Sequence, residues 1–190
     1  MAVAAEAPAV TPSLEEARAL AADYNLIPLR HTFIDDCETP VSAFLKLRGD
    51  EPAFLLESAD QGQRVGRYSF IGFRPRSVVR WSLADGGDPY ALAAAEVGRY
   101  RQAPLDGLPP FAGGAVGFFG YDLVRTVGPL GDPNPDPVGL PDMALMLSDV
   151  LVVFDHLKHT VTILANVYAE DEGGVEAAYA AASEAIAEVR

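Results

Sequence analysis

The runs "ALMLSDVLVVFD" (144–155) and "TVTILANVY" (160–168) are separated by only four residues, "HLKH". Both are dense in branched and aromatic side chains, and so short a connection reverses the chain between neighbouring strands. The pair therefore reads as a β-hairpin. Three more β-rich runs precede it: "AFLLES" (53–58), "YSFIGF" (68–73) and "SVVRWSL" (77–83). Residues 25–34, "NLIPLRHTFI", also read as extended, because Pro28 breaks a helix. Strands before, between and after helices, with at least one hairpin, give an α+β fold with a mainly antiparallel β-sheet and packed helices. The alternating strand–helix rhythm of a doubly wound fold is missing.

The helices announce themselves by their caps. Ser13 followed by Glu16 has capping-box spacing, and Leu14, Ala17, Leu20 and Ala21 recur at helical intervals. Thr39-Pro40 predicts an N-cap and first-turn pair for a helix to about Arg48, with Gly49 as its stop. Asp88-Pro89 does the same for "YALAAAEVGRYRQ" (90–102). The tail from Val175 carries Val175, Tyr179, Ala182, Ile186 and Val189 on one stripe, which the reading leaves uncovered by this chain and docked on something beyond it. Residues 1–12 read as a flexible leader and 13–190 as one domain. Residues 103–111 and 127–142 are proline-rich loops. "AGGAVGFFGYDLV" (112–124) is apolar with four glycines, suited to a strand pressed against another backbone.

Composition limits the function classes. No apolar run is long enough to cross a bilayer. A single cysteine, Cys37, excludes an internal disulfide framework and fits a reducing, cytoplasmic setting. Fourteen basic residues against twenty-seven acidic ones give a net charge of -13, which repels phosphate backbones and anionic lipid and argues against nucleic-acid and membrane partners.

Against that acidity, Arg64, Arg67, Arg74, Arg76 and Arg80 fall within seventeen residues that contain no acid. Just upstream, strand alternation puts Phe54, Leu56 and Ser58 on one face, with Leu55 and Glu57 on the other. A serine ending an apolar face either satisfies a neighbouring backbone group or meets a polar ligand. The arginines are either a solvated strand face or a carboxylate grip; with a hydroxyl nearby, the second reading describes a site for a zwitterion. The glycines 113, 114, 117 and 120 fit neither phosphate-binding pattern. "DHLKH" (155–159) offers Asp155, His156 and His159 but reads as a turn rather than a metal site. No nucleophile elbow, HExxH or CxxC is present, so the residues alone show no catalytic centre.

Three blocks in order, "LLESADQGQRVGRYSFIGFRP" (55–75), "GGAVGFFGYDLVR" (113–125) and "SDVLVVFDH" (148–156), resemble the N-terminal portion of anthranilate synthase component I, from about Tyr24 to Tyr168. The "LLES…GRYSF" form is closer to that enzyme than to aminodeoxychorismate synthase; isochorismate and salicylate synthases match less well. The resemblance implies a cytoplasmic, chorismate-using enzyme of tryptophan biosynthesis. It makes anthranilate and pyruvate with ammonia from a glutamine amidotransferase partner, and uses Mg2+. The family's chorismate and magnesium residues lie in a C-terminal part expected after Arg190, so no catalytic or metal residue is carried over and the isolated chain is expected to be inactive. What does carry over is part of a tryptophan feedback site: Ser58 as the serine of "LLES", Glu57 through its backbone, and Arg67 as a basic residue of the pocket. Other readings of the chain are a stand-alone amino-acid-binding module, or a scaffold whose Ser58 region has lost its role.

Overall fold

The computed structural model describes residues 9–57, 66–128, 130–131 and 135–190. Its elements in chain order are α1 (Leu14–Leu20), β1 (Leu26–Ile34), α2 (Pro40–Leu47), β2 (Phe54–Glu57), β3 (Tyr68–Trp81), α3 (Pro89–Gly98), β4 (Gly114–Phe119), β5 (Met143–Asp155), β6 (Thr160–Tyr168) and α4 (Gly174–Val189). The strands form one six-stranded sheet in the order β1-β6-β5-β3-β2, with β4 added on β5, and every strand pair is antiparallel. The fold is α+β, as the hairpin requires.

Local chemistry sets the helix starts. Ser13 and Glu16 close a reciprocal capping box on α1, and Thr39 does so with Ser42 on α2. Asp88 accepts from the amides of Tyr90 and Ala91 at the start of α3. Ordered pairing begins ahead of α1: Thr11 exchanges two backbone hydrogen bonds with Arg30 of β1. Pro28 sits in β1, the outer strand of the sheet, where a missing amide does least damage.

Five expectations change. The runs 68–73 and 77–83 are one fourteen-residue strand, β3, with an irregularity between Pro75 and Ser77 and Arg74 at φ 50°. Pro75 has no amide to give the ladder, yet β5 continues on both sides of it, so the flanking segments keep the same partner. The helix expected over 90–102 stops at Gly98, because Asn25 and the amide of Leu26 draw residue 101 into bonding beside β1. The glycine-rich run is a strand only over Gly114–Phe119, and Tyr121–Thr126 coils into a 3-10 helix. α2 gives way to extended backbone at Arg48, ahead of Gly49.

The fifth change is the largest. The stripe of α4, expected to be left uncovered, is seated on the chain's own sheet. Ala182 and Ile186 are buried, and Val175, Tyr179 and Val189 pack half-buried against the same core. The short turn after β6 folds the helix straight back over β6 and β1, whose inward residues Ile27, Leu29, Ile163 and Val167 would otherwise face water. Burying one such side chain is worth roughly 1.5–3 kcal/mol, enough to fix the helix there. α1 and α2 cover the remainder of this face through Ala17 and Ala43, while the opposite face carries a second cluster of Leu151, Val153 and Leu164 under Phe54, Phe70 and Phe111.

The backbone approach expected in the glycine-rich run is present. A Cβ on Gly117 would lie 1.9 Å from the Ala144 carbonyl oxygen, so only hydrogen fits where β4 crosses β5. Residues 156–159 form the hairpin turn, with His159 at φ 53°.

Candidate functional site

Two of the residues singled out for ligand recognition, Glu57 and Arg67, lie at one corner of the sheet, where β2 ends, β3 begins and β5 runs into its turn. The register aligns Glu57 with Ser69 and Ser69 with Phe154; one step along, Leu56 faces Phe70 and Phe70 faces Val153. Side chains therefore divide between two faces. Glu57, Ser69 and Phe154 share the helix-covered side, while Leu56, Phe70, Tyr68 and Asp155 share the other.

Arg67 lies just before β3. Its Nε and Nη2 donate to the two carboxylate oxygens of Asp155 at 3.2 and 2.9 Å, and its guanidinium carbon stands 4.8 Å from the centre of the Tyr68 ring. The charge thus sits on the Leu56–Phe70 side. The side chain remains 42% exposed, so the fork is held in place without being sealed. Asp155 is also a turn-former, accepting from the amides of Leu157 and Lys158. The Arg67 guanidinium, followed by those two amides, outweighs partial desolvation and holds its carboxyl below the usual aspartate range. The same pair raises Arg67 above the ordinary guanidinium value.

Glu57 behaves differently. Its carboxylate accepts from the Ser69 hydroxyl at 3.3 Å, and that hydroxyl lies 2.8 Å from Nε2 of His156. The acid is therefore engaged on the helix-covered side, which leaves its backbone as the part that can reach the Arg67 side. Leu56 is 46% exposed beside Phe70, so the apolar face at this corner is open to solvent rather than closed into the core. Ser58 lies outside the described residues, as does Arg64. The other arginines do not converge here: Arg74 pairs with Glu188, and Arg76 with Asp171.

Beside the β5–β6 turn a cleft of about 280 Å³ is lined by Asp35, Asp36, Glu38, Asp155, His156 and His159, among others. Among the described residues no group of three or more His, Cys, Asp or Glu side chains is placed to hold a metal ion. The residues described do not fit a Mg2+ centre, and no helix among them is long and apolar enough to cross a membrane.

No family model matches the chain. Curated proteins do match. The chain is 36% identical over 188 residues to the anthranilate synthase component 1 of Acetivibrio thermocellus, covering 92% of this chain and 38% of that one. It is 46% identical over 156 residues to the same protein of Pseudomonas putida, covering 74% and 32%. The chain belongs to the anthranilate synthase component 1 family. A crystal structure of anthranilate synthase component I from Streptococcus pneumoniae superposes with a TM-score of 0.54 at 26% identity, over 83% of this chain and 36% of that one. The chain thus spans roughly a third of the length of its anthranilate synthase relatives.

The sequence alone missed three members of this corner. Ser69 read as an interior strand residue, and Asp155 and His156 as ordinary turn residues. Their pairing partners lie 87 and 88 residues away in the chain, so only the strand register reveals them.

Proposed function

We propose that this chain is the amino-terminal, regulatory portion of anthranilate synthase component I, which converts chorismate and ammonia into anthranilate and pyruvate, with the ammonia released from glutamine by an amidotransferase partner. Chorismate, Mg2+ and the bond-making groups belong to the length of the relatives that this chain does not span. The role of the present residues is to hold the end product, L-tryptophan, as a feedback inhibitor.

The observation that supports this reading is the corner itself: an apolar pair, the exposed Leu56 and the half-buried Phe70, with a forked cation, Arg67, on the same side of the sheet. Tryptophan needs an apolar wall for the indole, a cation for its carboxylate and acceptors for its ammonium. Leu56 and Phe70 supply the wall, Arg67 the cation, and the Ser58 hydroxyl and Glu57 carbonyl the acceptors. Asp155 keeps the guanidinium extended before the ligand arrives and leaves part of its donor set to be shared with the incoming carboxylate. Because the reacting atoms lie elsewhere, occupancy here changes turnover only through the coupling between two sites.

Ser58→Phe in the complete synthase tests this directly. The added ring fills the space meant for the inhibitor, so the tryptophan concentration giving half-inhibition rises about fivefold or more, while chorismate turnover without tryptophan changes little. A superimposable inhibition curve would remove the site from this corner.

A further inference from the structure

The Ser69 hydroxyl is the meeting point of two side chains from different strands, and it is almost completely buried, at 2% exposure. It has one proton to give. Glu57 can only accept when ionised, so the proton goes to Glu57 Oε1, 3.3 Å away. The short 2.8 Å contact to His156 must then be filled from the other side: Nε2 carries a proton and donates to the serine oxygen. The result is a directed chain, His156 to Ser69 to Glu57, that runs across β3 and ends on the residue immediately before Ser58.

His156 is a firm starting point for such a chain. Its amide donates to the Arg67 carbonyl at 2.9 Å, and its ring lies nearly parallel to Phe154, 6.5 Å away at 18°. Glu57, in contrast, closes a four-residue edge strand that pairs with β3 alone among the described residues. Strand ends of that kind open at little cost unless something pins them. Consecutive residues of the β5–β6 turn region therefore control both halves of the corner, Asp155 by holding Arg67 and His156 by holding Glu57 through Ser69.

We propose that Ser69 and His156 are positioning residues for tryptophan feedback: their hydrogen-bonded chain fixes the end of β2 at Glu57 in the geometry that serves the inhibitor. This rests on the reading of the corner as the tryptophan site. A buried serine that merely satisfied its neighbours would matter to stability and not to inhibition, and that difference is measurable.

The experiment is a set of variants in the complete synthase, assayed with chorismate and ammonia across a tryptophan titration. Ser69→Ala and His156→Leu are expected to raise the half-inhibitory tryptophan concentration about fivefold or more, with kcat and KM for chorismate within about twofold of wild type. His156→Gln keeps an N–H donor close to the position of Nε2, and Ser69→Thr keeps the hydroxyl; both are expected to bring inhibition back to within about twofold. Should Ser69→Ala fold poorly, the His156→Leu and His156→Gln pair, at a half-exposed position, still decides the matter. If Ser58→Phe abolishes inhibition while both His156 variants inhibit like wild type, the positioning chain is wrong and the site stands. If Ser58→Phe itself inhibits normally, the site is wrong and the positioning role falls with it.

Discussion

Arg67 and Arg76 leave the same strand region, each forks onto an aspartate, and there the likeness ends. Arg67 reaches Asp155 from the solvent side, with one ring beside it. Arg76 is wrapped. It donates to both oxygens of Asp171, at 2.8 and 2.5 Å, and to the Tyr100 hydroxyl at 3.1 Å, while its guanidinium lies 3.7 Å from the centre of the Tyr168 ring. Asp149 shares this surrounding, with one carboxylate oxygen buried and unbonded. The comparison shows that an arginine-rich run in an acidic chain need not be one binding surface. Arg76 ties the irregular middle of β3 to the segments before α4 and after α3; Arg67 is left with a face to offer.

The acid in the wrapped region gives the largest expected effect. Burial, outweighing the nearby Arg76 charge, pushes the Asp149 carboxyl up to about 6. Because its folded value lies above its unfolded one, the folded chain binds the extra proton in between. The contribution is fully present below about 3.8 and is lost as pH rises through about 6. Chemical unfolding at pH 4.5 and pH 7 should therefore show wild type losing about 2 kcal/mol relative to Asp149→Asn. Parallel pH dependences for the two would mean that Asp149 is solvated and the region less enclosed than described. Asp155 works in the opposite sense: its lowered carboxyl stabilises above its unfolded value and gives that up as pH falls through the folded one.

A smaller effect separates the two arginines themselves. Arg76→Ala removes a partly exposed ion pair together with a ring stack, a loss of about 1–2 kcal/mol in unfolding free energy. Arg67→Ala should cost less, since its guanidinium is largely solvated and Asp155 keeps the Leu157 and Lys158 amides, and should instead weaken tryptophan inhibition of the complete synthase. Equal destabilisation by the two substitutions would erase the distinction; a normal inhibition curve for Arg67→Ala would leave the open arginine without a role.

What could be read from the sequence follows the reach of each interaction. The caps at Ser13, Thr39 and Asp88 depend on neighbours two or three residues away, and all three form. The hairpin and the close approach at Gly117 were also legible, because turn length and missing side chains are local facts. The continuity of β3 was not: Pro75 marks a break in propensity, while β5, seventy residues on, supplies the pairing that overrides it. α4 was misjudged for a similar reason, since its stripe looks unpartnered until β1 and β6 are known to lie side by side. At the candidate site, Arg67 and Leu56 stood out as residue types, but the Asp155 that restrains one and the Phe70 that flanks the other came only with the register.

The edge of β5 changes hands part-way along, from β4 over residues 143–148 to β6 over 150–155. β4 has no other strand partner among the described residues, so it hangs from the sheet like a flap on one hinge line. It can lift without unzipping any ladder that holds the Glu57–Arg67 corner. The pairing of the glycine-rich strand and the pairing that forms that corner are thus separate, so the one does not depend on the other.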